Sequence, residues 1–372
     1  MPVLTLLEVY HKINFLLNNI NKYKTMHLID QELNCMIRGR FDDGWRIAEE
    51  LERIDPTDRR AKFNRGWFLI HQGKWQEGFQ CLEYGRSLNV YGSPKLDTTK
   101  PIWDGTDLTG KTVIINLEAG YGDNIIQARF ATEIWRRGGK CVLCCDRTVH
   151  SLFMRIPGVD RCITLQEVQS TPHDFWIPGF SCSWIFGHTV QNIPNEPYIF
   201  ARSESIEVWK TLLKSDKPKI GIRWSGNPQF EHQQFRIFPP ELLINLYKEF
   251  PHVQWYSLQR DNDLRELPPE INDLQHTLIS WEDTAACIEN LDLVISSCTS
   301  IAHLASAMGK PTWVIVPILP YHVWAYGDKH SPWYTENTTV FRQTVFSKWD
   351  NTFVTVREEL HKLYPNNKKS TE

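Results

Sequence analysis

The sequence has no apolar run of the roughly 18 residues that a membrane-spanning helix needs. It has no excess of positive charge either. Lys and Arg number 41 against 44 Asp and Glu, a net charge of −3, so its bulk electrostatics advertise no polyanionic partner, although a local basic cleft stays open. A paired disulfide framework is missing, because nine cysteines are odd in number and scattered through apolar segments. Free buried thiols and a reducing, cytoplasmic compartment are expected. The first residues do not read as a secretory leader: Glu8, His11 and Lys12 interrupt their apolar pattern, which suits an amphipathic helix. With 41% apolar and 23% charged residues over 372 positions, the composition excludes disorder and suggests two domains plus an appendage. What the chain has in abundance is tryptophan, with 15 residues.

The first ninety or so residues repeat with an offset of 34: Gly39, Phe41, Asp43, Gly44 and Trp45 return as Gly73, Trp75, Glu77, Gly78 and Phe79. Aromatic, acidic and glycine positions agree at the period of a tetratricopeptide repeat, and the first unit closes on Asp55-Pro56. We therefore expect helical repeats over 1–92, with an ordinary helical hairpin as the plainer alternative. A segment with two prolines and no periodicity, 93–104, reads as a linker.

Beyond it the pattern changes to short β-branched runs separated by helical stretches. Runs at 111–117, 140–145 and 161–165 form one series, and after a break near 195–218 runs at 219–224, 253–258, 291–296 and 312–317 form another. Strands alternating with helices predict right-handed βαβ units and parallel sheets. Two successive α/β halves are expected, at 105–205 and 206–350, followed by a helix and frayed tail at 351–372.

Three loops could carry chemistry. Gly120-Tyr-Gly-Asp123 lies where a strand turns into a helix; there, glycine lets backbone amides approach a ligand, and Asp123 reads equally well as a helix cap. Cys298-Thr299-Ser300 follows a buried strand and opens a helix bearing His303, so hydroxyls and unpaired N–H groups converge at a positive helix end. An ordinary cap and a packed histidine explain the same pattern. Third, Arg223, Gly226 and Asn227 follow a strand, with His232 and Arg236 after them, and arginine suits phosphate. Cys141, Cys144 and Cys145 do not read as a metal site, since strand alternation separates the C-x-x-C pair. Asp261 and Asp263 form a D-x-D that reads as surface loop.

These residues fall into a known order. Pro101-x-Trp103-x-Gly105, the Glu118–Asp123 loop with Gln127-Ala-Arg-Phe130, Pro157-Gly-Val-Asp160, Gly221-Ile-Arg-Trp-Ser-Gly-Asn-Pro228, Ser257-Leu-Gln259, Asp283-Thr-Ala285, Asp292-Leu-Val-Ile295, Cys298–Ala305, Gly309-Lys-Pro311, Ser331-Pro-Trp-Tyr334 and Phe341-Arg-Gln343 succeed one another. From about Pro101 to Gln343 the chain resembles the tetratricopeptide-containing relatives of glycosyltransferase family nine, the heptosyltransferase family, and more remotely protein O-GlcNAc transferases. The resemblance implies a GT-B fold: two Rossmann-like domains facing across a cleft, nucleotide-sugar on the second, acceptor on the first, and the terminal helix returning to the first. It implies Asp123 as catalytic base, and a diphosphate held by Thr299, Ser300, His303, Arg236 and Arg223. Gly120, Gly122, Gly226, Asn227, Gln259 and Cys298 would shape the nucleotide and cleft loops, while Trp324, Trp333 and Tyr334 are candidates for stacking on a sugar. The chain departs from the family at Cys298, where most members have Asp, and at Ser300, where most have Gly, so ADP-heptose is not to be assumed as donor.

Two function classes follow. In the first, the protein is a metal-independent inverting glycosyltransferase, needing no cofactor beyond its nucleotide-sugar substrate. In the second, it is a non-catalytic adaptor that recruits a partner. The acceptor stays open among glycan, protein and modified nucleic-acid base, and the repeats are candidates for a protein partner.

Overall fold

The computed structural model describes residues 23–92, 95–226, 236–260 and 265–365. Asn227, His232, Asp261 and Asp263 lie outside them, as do the first twenty residues. The chain divides after Val90 into two compact units.

The first unit is helical: α1 (residues 23–37), α2 (Phe41–Ile54), α3 (Arg59–His71) and α4 (Trp75–Leu82). Its two turns carry the sequence offset into geometry. Gly39 and Gly73 both adopt positive φ, 74° and 77°. Each is followed by an amide that reaches back five residues, Arg40 to Cys35 and Lys74 to Leu69, both at 2.9 Å. That left-handed helix stop favours glycine, which has no Cβ to clash. Glycine also sets the helix spacing: a Cβ on Gly66 would lie 2.9 Å from the Gly78 carbonyl, and one on Gly78 would lie 2.9 Å from Ile70 Cδ1. Glu32 is buried with its Oε2 accepting from Asn64 Nδ2 at 2.9 Å, and burial pushes its carboxyl up to about 8.

The second unit holds two parallel sheets. The first contains β1 (Thr112–Asn116), β2 (Lys140–Cys144), β3 (Val159–Ile163) and β4 (Phe175–Pro178), in the order β3-β2-β1-β4. The second contains β5 (Lys219–Arg223), β6 (Gln254–Ser257), β7 (Ile271–Asp273), β8 (Leu293–Ser297), β9 (Thr312–Val316) and β10 (Thr338–Arg342), in the order β10-β9-β8-β5-β6-β7. The two layouts match. In each, the first strand is internal, the next two strands build outward on one side, and the fourth joins on the other. All the strands run parallel, and the side on which strands are added switches between β1 and β4 and again between β5 and β8, the two places where a doubly wound sheet opens a crevice at its carboxyl edge.

The longer helices of the unit are α5 (Tyr121–Ala128), α6 (Phe130–Arg136), α7 (Ser203–Leu212), α8 (Trp281–Glu289), α9 (Ser300–Ala307) and α10 (Asp350–Leu363), with shorter helical turns between them. Three expectations need correction. Residues from Leu96 onward do not behave as a free linker: Leu96 is buried with Ile114, Val142 and Trp176, and Trp103 donates its amide to the Trp176 carbonyl at 3.0 Å. Those apolar side chains have a sheet face to cover, which a solvated linker lacks. The break near 195–218 contains α7. Finally, α10 does not return to the first sheet; Phe353, Val356 and Leu360 share one core with Ile220, Trp224, Phe238 and Trp255 of the second half.

Candidate functional site

At the carboxyl end of β1 the chain makes a tight turn. Ala119 takes φ 59°, a left-handed conformation that costs a non-glycine residue energy and recurs at functional turns. Neighbouring bonds hold it in place. The Glu118 amide donates to Gln127 Oε1 at 2.7 Å, its carbonyl accepts from Asn124 Nδ2 at 2.9 Å, and its carboxylate accepts from the Phe180 amide at 3.0 Å. Gly120 then caps α5, and Asp123 reaches back so that Oδ2 accepts from the Gly120 amide at 3.1 Å. The cap reading of Asp123 therefore holds for one of its two oxygens. The other accepts from the Tyr321 hydroxyl, which comes from the segment after β9.

The carboxyl end of β8 makes the corresponding turn. Thr299 is the extended N-cap of α9, its hydroxyl 3.1 Å from Ser296 Oγ, and the first turn of α9 carries no acidic residue. That leaves the positive end of this helix uncompensated by its own side chains. Arg236 lies over it, donating from Nη1 to the Cys298 carbonyl at 3.1 Å. Gly226 borders the same spot: a Cβ there would lie 3.1 Å from both Arg236 Nη2 and Thr299 Cγ2.

Glycine also brings the two helix ends together. A Cβ on Gly122 would lie 3.1 Å from His303 Cδ2 and 3.5 Å from the Ser300 Cα, so α5 and α9 meet first turn to first turn. Gly120, Gly122, Asp123, Gly226, Arg236, Cys298, Thr299, Ser300 and His303 are thus brought together where the carboxyl edges of the two sheets meet. Burial drives the Asp123 carboxyl above the usual range, opposed by the Tyr321 and Gly120 bonds and by Arg236; burial also lowers Arg236.

Other sequence candidates have different work. Arg223 is buried and donates to the Ser225 carbonyl at 3.0 Å and the Leu258 carbonyl at 3.1 Å. Gln259 clasps Ser225 from the other side, donating to its Oγ at 2.9 Å and accepting its amide at 3.3 Å. Both brace the loop after β5, which corrects the expectation that Arg223 presents its guanidinium to phosphate. The sugar-stacking expectation is corrected as well. Trp324, Trp333 and Tyr334 are only 0%, 1% and 3% exposed, so none offers a face to a ligand. They pack around His303 and Arg129. The His303 ring stacks on Trp324 at 4.9 Å, its Nδ1 lies 2.9 Å from the Tyr334 hydroxyl, and burial pushes its pKa down to about 3. His303 is consequently a neutral packed ring at the edge of the cleft, not a cation.

Two residues carry weight to which the sequence assigned no role, Arg129 although it stands in the Gln127-Ala-Arg-Phe130 motif. Arg129 is buried at the break between α5 and α6, donating to the carbonyls of Trp333 at 2.6 Å and Pro194 at 2.9 Å beneath the rings of Tyr198, Trp333 and Tyr334. It pins the first half to the second. Tyr321 has no local signal beyond Pro320 before it; its partner Asp123 is 198 positions away.

No protein-family profile matches the chain. Among solved structures it is similar to E. coli ADP-heptose LPS heptosyltransferase II, with TM-score 0.51, 13% identity, and 68% of this chain and 98% of that one covered. It is also similar to a family 9 glycosyl transferase from Veillonella parvula, with TM-score 0.53, 12% identity, and 70% and 97% covered. The shared feature is the fold, two parallel α/β halves of the GT-B kind. A curated relative, protein FlbA of Caulobacter vibrioides, is 24% identical over 323 residues, 78% of this chain. The chain spans about half of FlbA, 53% of its length.

Proposed function

We propose that the protein is a glycosyltransferase that moves a sugar from a nucleoside-diphosphate donor to an acceptor hydroxyl, with inversion and without a metal. One observation carries this reading: a half-buried carboxylate, Asp123, faces a helix end topped by Arg236, across a cleft built at the switch points of two parallel sheets. In the step, the acceptor oxygen bonds to the anomeric carbon as the bond to the diphosphate oxygen breaks. Asp123 takes the hydroxyl proton, and the amides of α9, the Thr299 and Ser300 hydroxyls and Arg236 take the charge on the departing diphosphate. Among the described residues no cluster of His, Cys, Asp or Glu is arranged to hold a metal ion. The charge assignment to Arg236 and the helix end requires none. The domains follow the sheets: donor on the β5–β10 half, acceptor on the β1–β4 half. A reducing, cytoplasmic setting, read from nine cysteines scattered through apolar segments, is part of this proposal. The tetratricopeptide reading of the helical unit, and its use as a surface for a protein partner, belong to the same proposal.

A panel of UDP-, GDP-, ADP- and dTDP-sugars tests it. The expected result is slow release of nucleoside diphosphate from one of them, unaffected by EDTA. Asp123→Asn is expected to cut turnover by roughly 100-fold or more while leaving nucleotide affinity unchanged. The adaptor reading, favoured by Cys298 in place of the family's Asp, predicts that no nucleotide-sugar shifts the melting temperature.

A further inference from the structure

A carboxylate tied at one oxygen turns about its Cβ–Cγ bond; tied at both from different sides, it has one plane. Asp123 is tied at both. Its Oδ2 is held from within by the Gly120 amide at 3.1 Å, and its Oδ1 by a hydroxyl from the other half of the unit. We propose that Tyr321 is a positioning residue for Asp123: its hydroxyl fixes the carboxylate plane and so aims the group at the acceptor's proton. The inference rests on the reading of Asp123 as the base.

The surroundings explain why such a donor is needed. Burial works against charge on Asp123, and Tyr321 opposes that more strongly than the Gly120 amide or Arg236 does. The groups facing this pair from neighbouring elements are Arg236 and the Cys298 thiol, the phenol of Tyr91 and the uncharged His303 ring. Of these, Arg236 supplies positive charge. It is shared with the Cys298 carbonyl, and on the proposed reading it belongs to the diphosphate. The Tyr321 hydroxyl fixes the carboxylate with a directional bond and leaves Arg236 to the helix end. Oδ1 also keeps a further lone pair for a substrate hydroxyl. Because carboxylate and hydroxyl come from opposite halves, the base is fully prepared only while the cleft has this closed geometry.

Tyr321→Phe in the full chain tests the inference, since the ring is kept and one oxygen is lost. The carboxyl ¹³C resonance of Asp123, identified by its disappearance in Asp123→Asn, should titrate about one pH unit higher in Tyr321→Phe. With an active donor, kcat should fall roughly 10-fold with donor KM unchanged, and the acid limb of the kcat profile should move to higher pH by the same amount. An unmoved Asp123 midpoint, or a lower kcat on an unmoved acid limb, would reduce Tyr321 to packing and overturn the inference. A rise in kcat would also overturn it, by showing that Tyr321 occupies the acceptor hydroxyl's place. If the parent protein turns over no nucleotide-sugar at all, the proposed function fails, and the carboxyl titration still decides whether Tyr321 governs Asp123.

Discussion

At the residue scale, Thr299 and His303 separate what the helix end does from what supports it. Thr299 lies at the cap of α9 with its hydroxyl against Ser296, beside Gly226 and Arg236. Thr299→Val keeps the shape and removes the hydroxyl. On the proposed reading, it should weaken nucleoside-diphosphate binding by roughly 5- to 150-fold, the worth of about 1–3 kcal/mol, while the nucleoside alone is unaffected. His303→Ala should act mainly on stability, because the ring is packed on Trp324 and against Gly122. Calorimetric titration with nucleoside diphosphate and thermal melts of both variants check this division; unchanged diphosphate affinity in Thr299→Val would remove the loop from the site. Glycine loops, caps and small hydroxyls were legible in the sequence because their chemistry is local. Tyr321, and the role of Arg129 within its motif, were not. Their partners lie 198 and 204 positions away, and neither residue type announces a partner that tertiary packing supplies.

At the element scale, α9 and the helical turn His322–Ala325 bring His303 and His322 into one buried aromatic cluster with Trp324 and Trp333. Burial pushes both histidines down to about 3 from an ordinary 6.5, so both are neutral in the folded protein. The unfolded chain therefore binds protons first as the pH falls. The stability these rings contribute is whole above pH 6.5 and is lost progressively as the pH drops from there toward 3. At pH 5 the loss should be on the order of 2 kcal/mol per histidine. Urea midpoints measured between pH 7.5 and about 5 check this, and His322→Phe should flatten the slope; an equal slope in both proteins would contradict it. Most of the strands legible in advance, β1, β2, β5, β6, β8 and β9, are buried apolar runs, and β3 is a half-exposed run that ends on Ile163. Those missed are short or atypical: β4 is Phe-Trp-Ile-Pro, β7 has three residues, and β10 opens on two threonines. Each pairs at the end of its sheet, where half the ladder comes from one neighbour alone and the local pattern is correspondingly weak.

At the scale of the whole molecule, the division after Val90 leaves every residue assigned here to chemistry in the second unit. A chain beginning at Tyr91 should bind nucleoside diphosphate within twofold of the full chain and lose turnover on the physiological acceptor, because stacked helical hairpins offer surface, not reactive groups. Titration with diphosphate and turnover assays on both chains check this; full activity on that acceptor would make the helical unit dispensable for the reaction. The helical character of the first unit and the two α/β halves were readable because periodicity and strand–helix alternation are properties of long windows. The side on which α10 lands was not, since one apolar face fits either sheet. The matched layout of the sheets has one more consequence. Each sheet aims a helix at the cleft, yet α5 carries Asp123 in its first turn while α9 carries no acid there. The two helix ends therefore differ in polarity, like the two terminals of a diode. On the proposed reading, a substrate with an anionic end and a neutral end is admitted in a single direction, and the order of donor and acceptor follows from which of two look-alike turns carries a carboxylate.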